Sequence, residues 1–248
     1  MVDDIGSIKG EIVSIWDKVS EHYQWERYWE CNENHANLSA ILSHIGNPKG
    51  KYIIEVGCGS GFTTIALAQR GAECSLLDIS QQALNTAVSA FRSVGLYTPK
   101  HYLADALNTR LPSSAFDVVW NGGVIEHFNN YEKELLLKEM LRITKPGGKV
   151  IVLVPNSWCW QFRLLQVYKK WRGSWEYGYE DDMSPRRLTK LCERMKINNF
   201  IAYAFNPILG WLYFSKIRWL IQKLGLDTLE LHSRQSKWGF ISLLIIEK

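Results

Sequence analysis

The sequence predicts a doubly wound α/β fold, a parallel sheet with helices on both faces. Two observations carry it. Short apolar runs alternate with amphipathic stretches from residue 52 to residue 154, and a glycine-rich turn follows the first run. Strands joined by helices of this length need right-handed crossovers, which make the strands parallel. With 248 residues, 46% of them hydrophobic and 22% charged, the chain suits one domain with a sizeable core.

The elements follow in order. Ile8, Ile12, Ile15, Val19 and Tyr23 recur at helical spacing, which predicts an amphipathic helix over 8–23. A second short helix over 35–45 stops at Gly46-Asn47-Pro48, so that 1–48 reads as a helical cap. Residues 52–56 form the first strand, followed by the glycine turn and a helix through Gln69. A second strand over 74–77 ends on Asp78, and Ser80 caps a helix that buries Leu84, Val88 and Phe91. A third strand over 102–104 ends on Asp105. Residues 116–120 make the fourth, and a helix over 131–144 turns Leu136, Met140 and Ile143 inward. Pro146-Gly147-Gly148 then turns the chain into a fifth strand over 149–154, which closes a core of 49–155.

Past Pro155 the alternation loosens. Residues 156–183 are an aromatic and polar insertion. Ser184-Pro185 opens a helix to about Lys196, 199–205 is a sixth strand, 207–236 is a second insertion, and 239–247 closes the sheet.

Charge and cysteine usage exclude several classes. A net charge of +4 permits an acidic ligand or an anionic surface, but no concentrated basic module for nucleic acid is visible. Five cysteines, with no CxxC pair and no Cys/His cluster at zinc spacing, point to free thiols, no metal and a reducing cytoplasm. The N-terminus carries Asp3 and Asp4 without an apolar core, unlike a signal peptide, and no run is long enough to span a membrane.

The chemistry is carried by four signals. Glu55, Gly57, Cys58, Gly59 and Gly61 lie in an ExGxGxG turn between a strand and a helix. Glycines there let the backbone approach a bound group closely. In a GxGxxG dinucleotide turn the third glycine would come one residue later, where this chain has Phe62. A tight turn without a ligand is the bland alternative. Asp78 ends the second strand, where an acceptor-only carboxylate takes hydrogen bonds from two ribose hydroxyls; an N-cap aspartate is the alternative, and Ser80 competes for that task. Asp105 ends the third strand, where it can accept from an adenine amine, or else be a surface loop aspartate. The fourth signal is the stretch Phe116-Asp117-Val118-Val119-Trp120-Asn121-Gly122-Gly123-Val124-Ile125-Glu126-His127.

Taken in order across 51–155, these signals resemble the class I S-adenosylmethionine-dependent methyltransferases. The likeness is strongest to the small-molecule group related to the ubiquinone and menaquinone biosynthesis methyltransferases. The resemblance implies S-adenosyl-L-methionine as cofactor and a Rossmann-like seven-stranded sheet ordered 3-2-1-4-5-7-6 with its last strand antiparallel. It also implies residue roles. Glu55, Gly57, Cys58, Gly59 and Gly61 surround the methionine part, Asp78 and Ile79 the ribose, and Asp105 and Ala106 the adenine. Asn121, Gly122 and Gly123 line the region of the sulfonium. His127 is the candidate general base, since imidazole titrates near neutral pH; a ring that packs and hydrogen-bonds beneath the active-site loop is the alternative. The Asn-Pro-Pro-Tyr type of tetrapeptide found in base-nitrogen methyltransferases is absent, because the chain reads Asn121-Gly-Gly-Val, so nucleic acid is not the expected partner.

The acceptor side is read from aromatic density. Trp16, Tyr23, Trp25, Trp158 and Trp211 are candidate substrate contacts, with Tyr28, Trp29 and the rings of 156–183 and 207–236 forming further walls and a lid. A satellite core that fastens the insertions to the sheet competes with that reading. The expected partner is a small apolar or aromatic acceptor; a lipid-linked or membrane-associated acceptor is the alternative, with a non-catalytic cofactor-binding protein of the same fold behind both. Lys216, Arg218 and Lys223 lie among Trp211, Tyr213, Phe214 and Trp219. That pattern suits either peripheral membrane contact through 211–223 or a solvated basic face.

Overall fold

The computed structural model describes residues 2–22 and 32–248. Seven strands lie in the order β3-β2-β1-β4-β5-β7-β6. β1 (Tyr52–Val56), β2 (Glu73–Asp78), β3 (Lys100–Leu103), β4 (Phe116–Gly122) and β5 (Thr144–Pro155) pair in parallel. β7 (Ile241–Glu247) runs antiparallel between β5 and β6 (Phe200–Phe205). The expected order and the reversed last strand are both present.

Alternation along the central strands assigns each residue to one of two cores. Ile54, Val119, Val150, Val152 and Leu244 meet Leu136, Leu137, Met140 and Ile143 of α5 (Asn130–Ile143) and Leu188 and Leu191 of α7 (Pro185–Arg194). Ile53, Val118, Ile151 and Leu243 face the other way, onto Ala36, Leu38, Ile41 and Ile45 of α2 (Asn32–Ile45) and Leu67 of α3 (Phe62–Ala68). Strands buried on both faces read as continuous apolar runs, which is why β1, β4 and β5 were visible in the sequence.

Local signals set the helix starts. Ser80 accepts from the Ala83 amide at the head of α4 (Gln81–Ser93), Asn129 and Glu132 form a reciprocal capping box on α5, and Ser184 with Pro185 opens α7. Each such cap contributes about 1 kcal/mol.

Three boundaries differ from expectation. The N-terminal helix α1 (Val2–Ser20) starts earlier than 8, and β3 stops two residues short of Asp105. As an edge strand β3 pairs only through Ser75–Asp78 of β2, so its end is set by that partner, although the Ala104 amide still donates to the Asp78 carbonyl at 3.0 Å. The Pro146-Gly147-Gly148 segment is not a separate turn: β5 runs from Thr144 with a register shift opposite Phe116 and Val118. The shift absorbs the proline, which has no amide to give the ladder.

The insertions contain helices. The first holds α6 (Trp160–Trp171); the second holds α8 (Leu209–Leu212), α9 (Ser215–Lys223) and α10 (Leu229–Ser233). No helix among the described residues is long and apolar enough to cross a membrane.

Candidate cofactor and acceptor site

The site lies at the carboxyl ends of β1, β2 and β4, where the sheet order reverses direction. Gly57, Gly59 and Gly61 all take positive φ, at 70°, 49° and 66°, which winds the loop back before α3. The loop is tied to the next strand: the amides of Gly57 and Cys58 both donate to the Leu77 carbonyl, at 2.7 and 3.0 Å. Cys58 turns its thiol into the core beside Phe62, Ile65 and Leu84, and burial pushes that thiol well above the ordinary range, so Cys58 faces a ligand only through its backbone.

Asp78 is held from two sides. Its Oδ2 accepts from the Gly59 amide at 2.9 Å and its Oδ1 from the Ser80 amide at 2.9 Å. Burial raises its pKa, opposed by the Ser80, Gly59 and Ile79 amides and reinforced by the nearby Asp17 carboxylate. Asp17 is a functional neighbour that the sequence reading missed. It accepts from the Ser80 hydroxyl at 2.5 Å and so fastens α1 to the end of β2. The signal was available: Gly10, Val13 and Asp17 share one helical face, and the first two roof a cleft of about 420 Å³ floored by Ile79, Leu103, Ala104 and Asp105. That volume lies within the range of small-molecule clefts, roughly 300–1,000 Å³. At its rim Asp105 Oδ1 accepts from the Leu107 amide at 2.8 Å, while Ala106 packs on the sheet core.

Other expected residues sit deeper. Glu55 is buried, accepts from the Thr64 hydroxyl at 2.6 Å, and is held well above the usual carboxylate range by burial. Trp120 Nε1 donates to the same hydroxyl at 3.2 Å, which locks the carboxyl beneath the glycine loop. Asn121 is fully buried, with its amide on the Met140 sulfur at 3.3 Å. At this strand end Gly122 is the exposed residue, and the Gly123 amide donates to the Leu153 carbonyl at 2.9 Å.

His127 sits in the short 3-10 turn Ile125–His127. Its Nδ1 lies 2.9 Å from the Tyr179 carbonyl oxygen, and Trp16 stands edge-on to the ring at a centroid distance of 4.9 Å. Burial lowers its pKa, against the pull of the Tyr179 and Gly123 carbonyls. The strap behind it is pinned by the Asp181 amide on the Glu126 carbonyl at 2.8 Å and the Met183 amide on the Pro155 carbonyl at 3.0 Å. Asp181 also takes Lys133 at 2.6 Å and both guanidinium nitrogens of Arg187 at 2.7 Å, which holds its carboxyl down at about 2.

Glu180, next along the strap, behaves oppositely: burial, then the Asp182 carboxylate, push it up to about 7. A group with a folded pKa above its unfolded value stabilises below the unfolded value, and that contribution is lost as pH rises through the folded one. Glu180→Gln is therefore expected to leave the melting temperature unchanged below about pH 4.5 and to raise it at pH 8, by roughly 2–4 °C for each kcal/mol recovered. Thermal scans at the two pH values decide it, and an equal shift at both would contradict the assignment.

Of the proposed acceptor contacts, Trp16 meets His127, Trp211 meets the edge of Trp160 at 5.0 Å, and Trp158 is exposed. Tyr23, Trp25, Tyr28 and Trp29 lie outside the described residues. Among the described residues no group of three or more His, Cys, Asp or Glu could hold a metal ion.

Against known proteins, the family model described as a methyltransferase domain matches residues 54–152, the span from β1 to β5 that carries the loop, Asp78, Asp105 and His127. Residues 54–152 form a methyltransferase domain. Relatives of this methyltransferase include a ubiquinone biosynthesis O-methyltransferase of Idiomarina loihiensis, 27% identical over 193 residues, 74% of this chain and 77% of the relative. A demethylmenaquinone methyltransferase of Geobacillus stearothermophilus is 29% identical over 158 residues, 62% and 66% of the two chains. Among solved structures, a SAM-dependent methyltransferase from Thermotoga maritima shares the fold with a TM-score of 0.67 at 17% identity, covering 96% of this chain and 99% of that one. The residues of the site fit S-adenosylmethionine: a buried, doubly anchored carboxylate at the end of β2, beside an apolar cleft with a second carboxylate at its rim.

Proposed function

We propose that this methyltransferase acts on a small acceptor bearing an apolar or aromatic ring, and does so by placement rather than by proton transfer at His127. When bound, S-adenosylmethionine supplies an electrophilic methyl group on a sulfonium. The protein's share is to hold the acceptor nucleophile in line and to keep water away. The observation that carries this reading is the contact of Trp16 with His127 beside Gly123, where α1 and the 179–183 strap come together over the end of β4. A Cβ at Gly178 would lie only 3.4 Å from Ile15 Cδ1, so the strap and α1 meet closely. Tryptophan there offers a rigid apolar wall to a ring. The relatives named for ubiquinone biosynthesis and for demethylmenaquinone accord with a ring acceptor.

His127 is read as a positioning residue. With Nδ1 committed to the Tyr179 carbonyl and its pKa lowered by burial, the ring ties the strap to the end of β4 as a neutral imidazole. His127→Ala is expected to lower kcat about tenfold through a looser strap while the pH–rate profile keeps its shape. Loss of the acidic limb in the variant would make His127 the base after all. The acceptor reading is tested by single-turnover methylation of ring compounds carrying hydroxyl or amine groups, with S-adenosylhomocysteine binding measured in parallel. Intact binding with no transfer to any ring acceptor would defeat it.

A further inference from the structure

α6 has apolar residues on both sides. Its inward side buries Phe162 against Phe240 together with polar groups: Gln161 and Gln166 are buried, Arg163 Nη1 donates to Gln166 at 2.7 Å and pairs with Asp182 at 3.1 Å, and Gln166 Nε2 donates to Glu180 at 2.9 Å. Its outward face is apolar. Trp160, Leu164, Val167 and Trp171 recur at i, i+4, i+7 and i+11, with exposures of 47, 57, 67 and 81%, and Tyr168 flanks them. An ordinary surface helix turns this stripe toward the core. Here this stripe is turned away, while the inward positions go to Phe162 in the core and to the charged strap beneath.

The stripe has company. α9 buries none of its residues and exposes Trp219 and Leu220, and Leu224 is exposed just beyond it. α8 links the two helices: Trp211 packs on Trp160, and the Leu212 carbonyl accepts from Arg218 Nε at 2.6 Å. Charge on both segments has one sign. Residues 156–175 hold Arg163, Lys169, Lys170 and Arg172, residues 207–226 hold Lys216, Arg218 and Lys223, and neither stretch contains an acid.

We propose that the outward face of α6, together with α9, docks the enzyme peripherally on an anionic lipid bilayer. Tryptophan and tyrosine favour the boundary between acyl chains and headgroups, leucine and valine insert below it, and the lysines and arginines meet anionic headgroups. A second copy of the chain is the poorer occupant, because a two-fold contact would set the same basic cluster against itself. The proposal is independent of the acceptor's identity.

The test is flotation of the full chain with vesicles of phosphatidylcholine alone or mixed with phosphatidylglycerol. Binding is expected only to the mixed vesicles and should fall as salt is raised. Val167→Ser with Trp171→Ser, and separately Lys169→Gln with Lys170→Gln, should each reduce partitioning at least tenfold. Both should leave S-adenosylhomocysteine affinity within twofold, which shows that the fold is intact. No binding of the wild type to mixed vesicles at low salt overturns the proposal, as does equal binding by both variants. A concentration-dependent dimer that Val167→Ser with Trp171→Ser dissolves, without vesicle binding by the wild type, would assign the face to a second copy and overturn it as well.

Discussion

Asp78→Ala is expected to weaken S-adenosylhomocysteine binding, measured by calorimetry, by at least about 100-fold. Two hydrogen bonds from ribose hydroxyls to an ionised carboxylate contribute roughly 1.5 kcal/mol or more each, and about 3 kcal/mol is a factor of about 100 in affinity. The side chain has a second task, since it anchors the Gly59 and Ser80 amides at 2.9 Å each. Alanine therefore also frees the glycine loop and the head of α4, and the loss should exceed the ribose contacts alone. Asp78→Asn separates the two tasks, because its amide oxygen still accepts from one of those amides. Affinity intermediate between wild type and alanine is expected. If alanine and wild type bind alike, Asp78 does not hold the ribose, and the placement of the cofactor along β2 is wrong.

The second large effect is expected at Gly57→Ala. Gly57 has φ 70°, and a Cβ there would lie 2.5 Å from Val124 Cγ2. The left-handed backbone costs a non-glycine residue about 1–2 kcal/mol. Forcing a methyl group against the valine costs about 1–3 kcal/mol more. Together these predict a melting temperature lower by roughly 5–15 °C for a chain of this size. Pairing the substitution with Val124→Ala should recover the steric part and leave the backbone part, so the double variant should be more stable than the additive sum. Strict additivity in that cycle would show that the loop moves away from Val124 instead of pressing on it.

Both predictions concern the half of the molecule that was open to reading in advance. β1, β2, β4 and β5 are buried on both faces and so appear as uninterrupted apolar runs. The glycines and Asp78 sit at strand ends and Asp105 two residues beyond one, positions that are local in the chain and leave a local mark. The depth of a side chain leaves no such mark. Glu55 and Asn121 lie within the motif yet point into the core, toward Thr64 and Met140, because strand alternation puts neighbouring residues on opposite faces. Asp17 was missed for a related reason. Its partner Ser80 is 63 residues away, and only the docking of α1 on the end of β2 makes it part of the site.

What the sequence determined by itself was the order of elements and the turn chemistry, which rest on periodicity and on residues close together in the chain; the expected cofactor came from the resemblance those residues carry. What only the tertiary structure decided was where long-range partners meet. The Tyr179 carbonyl holds the His127 ring at Nδ1 and so ties the strap to the end of β4. The strap carboxylates hold Arg163 and Gln166 of α6 inward beside Phe162, and Trp160, Leu164, Val167 and Trp171 are left in the open. Periodicity says that a helix has two faces. Which side chains turn inward depends on what waits beneath, and under α6 that is Asp182 for Arg163 and Phe240 for Phe162.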